Sequence, residues 1–327
     1  MSRDWFRELT GLPSDAPEVV RGGVVVEGPF LTFPASGRRL RWGALEVPRL
    51  ADLPPPEAGP QRLRVSEVVA DVTALHRDHA NAGAVFQVAS QFNLLEMVGP
   101  NVTPDQGIAR YAHDATQGPA CAMACAAGTI WRNYLVPVAG QAGQSATRQL
   151  DMLEDFGQAV GNGQGKLWQM RNGYALPRPG GLAEVAGRIE ALGAEALRGL
   201  IRVGVQRDTE VTVAAAGQLV TQVYCSALPI AYAGGAGPDW EPFARLVLEA
   251  AYLATLAVAA ETARRGGSNR LFLTRLGGGA FGNPPGWITD AMAVALAAHA
   301  AADLDVRIVS YRQPDPANRP LLSRAPR

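Results

Sequence analysis

Much that would staple a chain or grip a charged polymer is scarce here. Cysteine occurs three times, at Cys121, Cys125 and Cys225. So odd and sparse a set does not make a disulfide framework, and it points to a reducing cytoplasmic compartment. Lysine occurs once, at Lys166, and 30 basic residues balance 30 acidic ones, so the formal net charge is zero. That argues against a broad electrostatic hold on DNA or RNA, and no nucleic acid is expected as partner. The opening stretch, MSRDWFRELTGLPSD, lacks the apolar core of a signal peptide. The nearest approach to a membrane span, Phe243 to Ala263, contains Arg245, Glu249 and Glu261 and reads as a buried helix, so no membrane is expected as partner. G-x-S-x-G is absent, which excludes a serine hydrolase of that type. His76 and His79, like Cys121 and Cys125, stand without further Cys or His at metal-ligand spacing. We expect no metal and no cofactor, and read the two thiols, on one helix face, as small buried groups.

What is present is apolar material and glycine. Hydrophobic residues make up 47% of 327 residues and charged residues 18%, enough for one large domain or two modest ones. The wealth of Arg, Ala and Gly suggests a GC-rich, bacterial genome. Residues 1–60 hold short apolar runs broken by Gly and Pro, the pattern of β-hairpins, and ADLPPPEAGPQ follows as a linker. Val65, Val68, Val69, Val72 and Leu75 fall at helical spacing, so residues 64–82 read as a helix. AVFQVAS is a buried strand, residues 120–127 a tightly packed helix, TIWRNYLVPV a strand, 143–160 a helix and KLWQMRNGYAL a hairpin. From residue 181 onward helices and strands alternate: helix 181–200, strands IRVGVQR and LVTQVYCSALPIAY, helix 240–264, strand 271–275, helix 286–302 and strand 305–311. The expected fold class is α/β, three layers (α/β/α) about a mixed central sheet.

The most informative stretch joins strand 271–275 to helix 286–302. It reads RLGGGAFGNPPGW, with Gly277, Gly278, Gly279, Ala280, Phe281, Gly282 and Asn283 in succession. Backbone N–H groups at a helix start, with the helix dipole behind them, favour an anion, and glycine lets the backbone approach it. The bland alternative is a tight turn between packed elements. No Lys with Ser or Thr follows the glycines, which excludes a P-loop. G-x-G-x-x-G does match residues 277–282, but the next strand ends in Ser310 and Tyr311 where a dinucleotide fold wants an acid.

Residues 240–311 resemble the C-terminal half of a macrodomain, the ADP-ribose-binding α/β/α family. The long helix carries Tyr252, a strand follows, and GGGAFGNPPGW is similar to the family's diphosphate loop. VFQVASQFN resembles the family strand that ends in asparagine, with Asn93 at the last position and Ser90 at the first. QGPACAMACA resembles the helix start that follows. The resemblance implies that Gly278 to Gly282 hold a diphosphate, with Phe281 beside the ribose. It also implies that Asn93 positions that ribose. Ala120 stands where the family often has an aspartate, and Asp114, in the loop before it, is the candidate to reach that space. The family's adenine-selecting G-D-I-T motif finds only ADVT at 70–73, set aside because it falls within the helical pattern. Gln117, Gly118, Arg275 and Asn283 complete the expected site, with the alternatives that Asp114 and Thr116 only cap a helix, that Asn93 only closes a turn and that Arg275 only faces solvent.

The expected organisation is an N-terminal hairpin extension, 1–60, and a macrodomain-like domain, 61–327, with insertions near 94–116 and 140–180. The expected activity is binding of ADP-ribose or an ADP-ribosylated molecule, with hydrolysis at the distal ribose by Asn93 and Asp114. A non-catalytic nucleotide-binding module, or a binder of another phosphate-containing ligand, is the alternative.

Overall fold

A strand covered on both faces must be apolar on both, and Val85–Ala89, VFQVA, nearly is. The computed structural model describes residues 4–215, 217–235 and 237–322, and places this strand inside a seven-stranded sheet. The strands lie in the order Ala44–Glu46, Gly204–Glu210, Leu219–Cys225, Val85–Ala89, Arg270–Leu273, Asp305–Ser310 and Arg64–Val69. From Leu219–Cys225 to the Arg64–Val69 edge all pairs are parallel, whereas Gly204–Glu210 is antiparallel to both neighbours. This is the expected α/β class with a mixed sheet. Alternation along the strands feeds two cores. Phe86, Val88 and Phe272 pack with Cys121, Trp168 and Phe243 on one face. Val85, Leu271 and Leu273 pack with Tyr252, Ile288 and Met292 on the other.

The helix Glu241–Arg264 contributes to both cores. It is long and apolar enough to cross a membrane, yet 89% of its most apolar window is buried inside the protein. A third core joins the N-terminal segment to the middle of the chain. Trp5, Phe6, Leu31 and Phe33 pack against Tyr111, Met123, Ile130 and Tyr134. Three short strands, Val25–Glu27, Phe30–Phe33 and Arg38–Arg41, form a separate small sheet there, and Ala44–Glu46 then enters the main sheet as its edge.

Three local expectations are corrected. Residues 64–82 are a strand, Arg64–Val69, followed by the helix Val72–Arg77. The spacing of the valines fits a helix, but six residues find a parallel partner in Asp305–Ser310, and that pairing decides the conformation. TIWRNYLVPV is mostly helical: Ala126–Ile130 runs into a π-turn, Trp131–Leu135, before a two-residue strand, Pro137–Val138. Residues 143–160 are helical only over Glu154–Val160. Gln144 holds the rest in irregular form, its amide bridging Asn93 O and Arg132 O at 2.9 and 3.0 Å.

Candidate functional site

Parallel strands leave a crevice beyond their carboxyl ends, where loops diverge to opposite faces. Here that crevice is a cavity of about 660 Å³, within the range of roughly 300–1,000 Å³ usual for small-molecule sites. Ala89 and Ser90 line it after the central strand, Thr274 after Arg270–Leu273, Val309 and Tyr311 at the end of Asp305–Ser310, and Ala70 and Asp71 after Arg64–Val69.

The glycine loop forms one wall. The Tyr252 hydroxyl sets its start, donating to Thr274 O at 2.8 Å and accepting from Leu276 N at 2.9 Å. Asn283 closes it, with its N–H on Gly277 O at 2.9 Å and its Nδ2 on Leu228 O at 2.9 Å. Gly277 is left-handed, φ 73°, and a Cβ there would lie 2.4 Å from that of Ala227. Within this frame the N–H groups of Gly278 and Gly282 are used by the turn itself. Among the described residues, those of Gly277, Gly279, Ala280 and Phe281 meet no protein acceptor, and all four residues line the cavity. Bare backbone donors beside a cavity are an arrangement able to accept an anion.

Of the other expected site residues, Asp114, Gln117, Gly118 and Arg275 line the cavity, whereas Asn93 and Asn283 are buried and do not line it. Asn93 is wholly buried, donating through Nδ2 to Gln149 Oε1 at 2.8 Å and accepting from Leu95 N at 3.1 Å. Asp114 accepts from Thr116 N and Oγ1 at 2.9 and 2.6 Å. Gln117 ties its helix to the central strand, accepting from Ala89 N and donating to Gln87 O at 2.9 and 2.8 Å. Arg275 offers no free guanidinium edge: Thr289, Asn318, Pro285 O and Asp315 take it up. At Gly118 a Cβ would lie 2.1 Å from Ala89 O and 3.1 Å from Glu96 Cγ. Gly118→Ala should therefore destabilise by about 3 kcal/mol or more, since neither strand nor helix can yield, and urea unfolding would measure it.

Two residues that the sequence reading passed over stand in the site. Glu96 lines the cavity at 3% exposure; the Tyr111 hydroxyl is beside it, yet neither carboxylate oxygen makes a well-formed hydrogen bond within the protein. Its Oε1 is 3.6 Å from Nη2 of the equally buried Arg132, close enough for charge attraction but too long for a hydrogen bond. Arg132 is engaged elsewhere, donating to Leu94 O and Thr129 Oγ1 and lying 3.6 Å above the Tyr224 ring. Burial pushes the Glu96 carboxyl up to about 7, against the opposing pull of Arg132. The signal was a single acid inside an apolar run, NLLEMV. The second residue is Asp71. ADVT lies at a strand-to-helix turn rather than within a helix, and Asp71 both caps Ala74 N at 3.0 Å and borders the cavity.

Aromatic rings close the side nearest Glu96. Tyr174 donates to Met97 O at 2.7 Å and packs 5.3 Å from Phe281 and 5.1 Å from Tyr232, centroid to centroid. At the opposite end the Tyr311 ring stands 62% exposed on the rim. The cavity thus runs from an acid and a ring (Asp71, Tyr311), past free N–H groups, to a second acid among rings (Glu96, Tyr174, Phe281). The three cysteines take no part; all are buried and free. Among the described residues no cluster of three or more His, Cys, Asp or Glu is placed to hold a metal.

No family model and no curated protein matches the chain. Among solved structures it is similar to the poly(ADP-ribose) glycohydrolase of Thermomonospora curvata, at 16% identity, over 94% of this chain and 95% of that one, with a TM-score of 0.42. It is also similar to the Deinococcus radiodurans poly(ADP-ribose) glycohydrolase in complex with ADP-ribose, at 12% identity, over 81% and 86% of the two chains, with a TM-score of 0.41.

Proposed function

We propose that the cavity binds ADP-ribose or an ADP-ribosylated molecule and that Glu96 promotes hydrolysis of the bond at the distal ribose. The observation that carries this reading is the pairing, across one cavity, of unsatisfied N–H groups at Gly277, Gly279, Ala280 and Phe281 with an unsatisfied buried carboxyl at Glu96. Orphaned donors and an orphaned acid are both costly, and a diphosphate followed by a ribose supplies partners for each. With Asp71 and Tyr311 at the far end, a base finds a hydrogen-bond acceptor and a ring to stack on.

In this reading the backbone holds the diphosphate and so fixes the distal ribose beside Glu96. A carboxyl that titrates near 7 is partly protonated at neutral pH and suits general acid catalysis. As the C1–O bond of the distal ribose breaks, the leaving oxygen takes the Glu96 proton. Water bonds to C1 and returns a proton to the Glu96 carboxylate. Burial beside Arg132 keeps that carboxylate from wandering between the two transfers. Asp114 and Asn93 support the loops around this centre through their hydrogen bonds to Thr116 and Gln149.

Calorimetric titration with ADP-ribose tests binding, and release of ADP-ribose from an ADP-ribosylated peptide or polymer tests turnover. Micromolar binding with turnover is the expected result. Binding without turnover would leave a nucleotide-binding module. No binding by folded protein would sink the ADP-ribose assignment.

A further inference from the structure

One carboxylate oxygen closes the loop that carries Tyr311. Oε1 of Glu67 accepts from Ser310 Oγ at 2.6 Å, from Asp315 N at 2.8 Å and from Asn318 Nδ2 at 2.7 Å. These donors flank residues 311–314 on both sides, so the loop is cinched at its base. Asn318 is fully buried, and its Oδ1 accepts from Arg275 Nη1 at 3.1 Å. Arg275 Nε stands 3.2 Å from Asp315 Oδ2, and Arg275 opens the glycine loop. These polar contacts join the base of the Tyr311 loop to the Arg275 side chain.

The ring itself has little to hold it. Tyr311 is mostly exposed, its neighbour Arg312 takes a left-handed φ of 66°, and the Arg312 guanidinium sits 5.0 Å from the ring centre. An exposed side chain on such a loop keeps its place only if the loop ends are fixed. Glu67 does not line the cavity; it lies on the edge strand, Arg64–Val69, under the loop.

We propose that Glu67 is a positioning residue: it holds the loop of residues 311–314 so that the Tyr311 ring stands ready as the platform for a planar base. The proposal rests on the ADP-ribose reading of the cavity and names what tunes its base end. Preorganisation of this kind raises affinity for a ligand that carries a base and does nothing for one that lacks it.

The test is calorimetry of wild type, Glu67→Ala, Glu67→Gln, Tyr311→Ala and the Glu67→Ala/Tyr311→Ala double variant, with ADP-ribose and with inorganic pyrophosphate. Glu67→Ala and Tyr311→Ala should each weaken ADP-ribose binding about tenfold, the scale of one lost stacking contact. The double variant should be no weaker than Tyr311→Ala, because both remove one interaction. Glu67→Gln keeps the accepting oxygen and should bind within about threefold of wild type. Pyrophosphate affinity should be the same in all five. Wild-type ADP-ribose affinity in Glu67→Ala, additivity in the double variant, or a parallel loss of pyrophosphate binding would each overturn the proposal. If wild type itself ignores ADP-ribose, the ligand assignment fails, and hydrogen exchange then decides on Glu67. The Asp315 amide should exchange faster in Glu67→Ala than in Glu67→Gln, and equal rates would refute the role.

Discussion

Gly279→Glu should leave the protein folded and weaken ADP-ribose binding about 100-fold, on the scale of placing a like charge within a few ångströms of a diphosphate. Gly279 is the suitable position for this variant. A Cβ there meets nothing within 4 Å, and its φ is not left-handed, so the side chain adds no strain. Its neighbours are poor choices: Gly277 and Gly282 both have φ of 73°, and a Cβ at either would press on Ala227 or Ala231. A substitution there would confuse a broken loop with a blocked site. Thermal unfolding at the wild-type temperature, together with lost binding in calorimetry, is the expected pair of results. Unchanged affinity would mean that the free N–H groups of this loop do not meet the ligand.

Glu96→Gln should lower turnover by about 10²–10⁴-fold while affinity for ADP-ribose stays within a few-fold of wild type. Glutamine keeps the shape and offers neither a transferable proton nor a base. The wild-type rate should fall as pH rises through about 7, where the acid loses its proton, and the variant's residual rate should lose that limb. Stability gives an independent readout. The carboxyl titrates at 4.5 when free and is raised to about 7 in the fold, so the folded state holds the proton more tightly than the unfolded state. The favourable contribution is present in full below about pH 4.5 and is lost as pH rises through about 7. Relative to wild type, Glu96→Gln should therefore gain up to about 3 kcal/mol at pH 9 and little at pH 4. Chemical denaturation at the two pH values measures it. A variant that turns over normally would remove Glu96 from the chemistry, whatever its stability.

The glycine loop was legible because its signal is local. Glycines between an apolar run and a helix announce free backbone, and the loop indeed carries the bare N–H groups. Glu96 was not legible as a site residue. NLLEMV shows an acid among apolar neighbours, but only the loop path that buries it beside Arg132, 36 positions away in sequence, turns it into an acid with a raised pKa. Asp71 was hidden by periodicity. Four valines at helical spacing masked a strand whose pairing partner lies some 240 residues further on. Arg275 illustrates the opposite case. Its place before the glycines suggests a phosphate ligand, yet Thr289, Pro285, Asp315 and Asn318 occupy its donors.

By itself the sequence determined the α/β alternation of the second half, the strand at Val85–Ala89, the hairpin near residue 170 and the glycine loop, because each is written in contiguous residues through hydrophobic period or backbone freedom. Only the tertiary structure decided that Arg64–Val69 is a strand, that the N-terminal segment packs on residues 109–135, and that Asp71, Tyr311, Glu96 and the glycine loop border one cavity. Those outcomes depend on which distant partner satisfies a backbone edge or buries a charge, and no local pattern carries that choice.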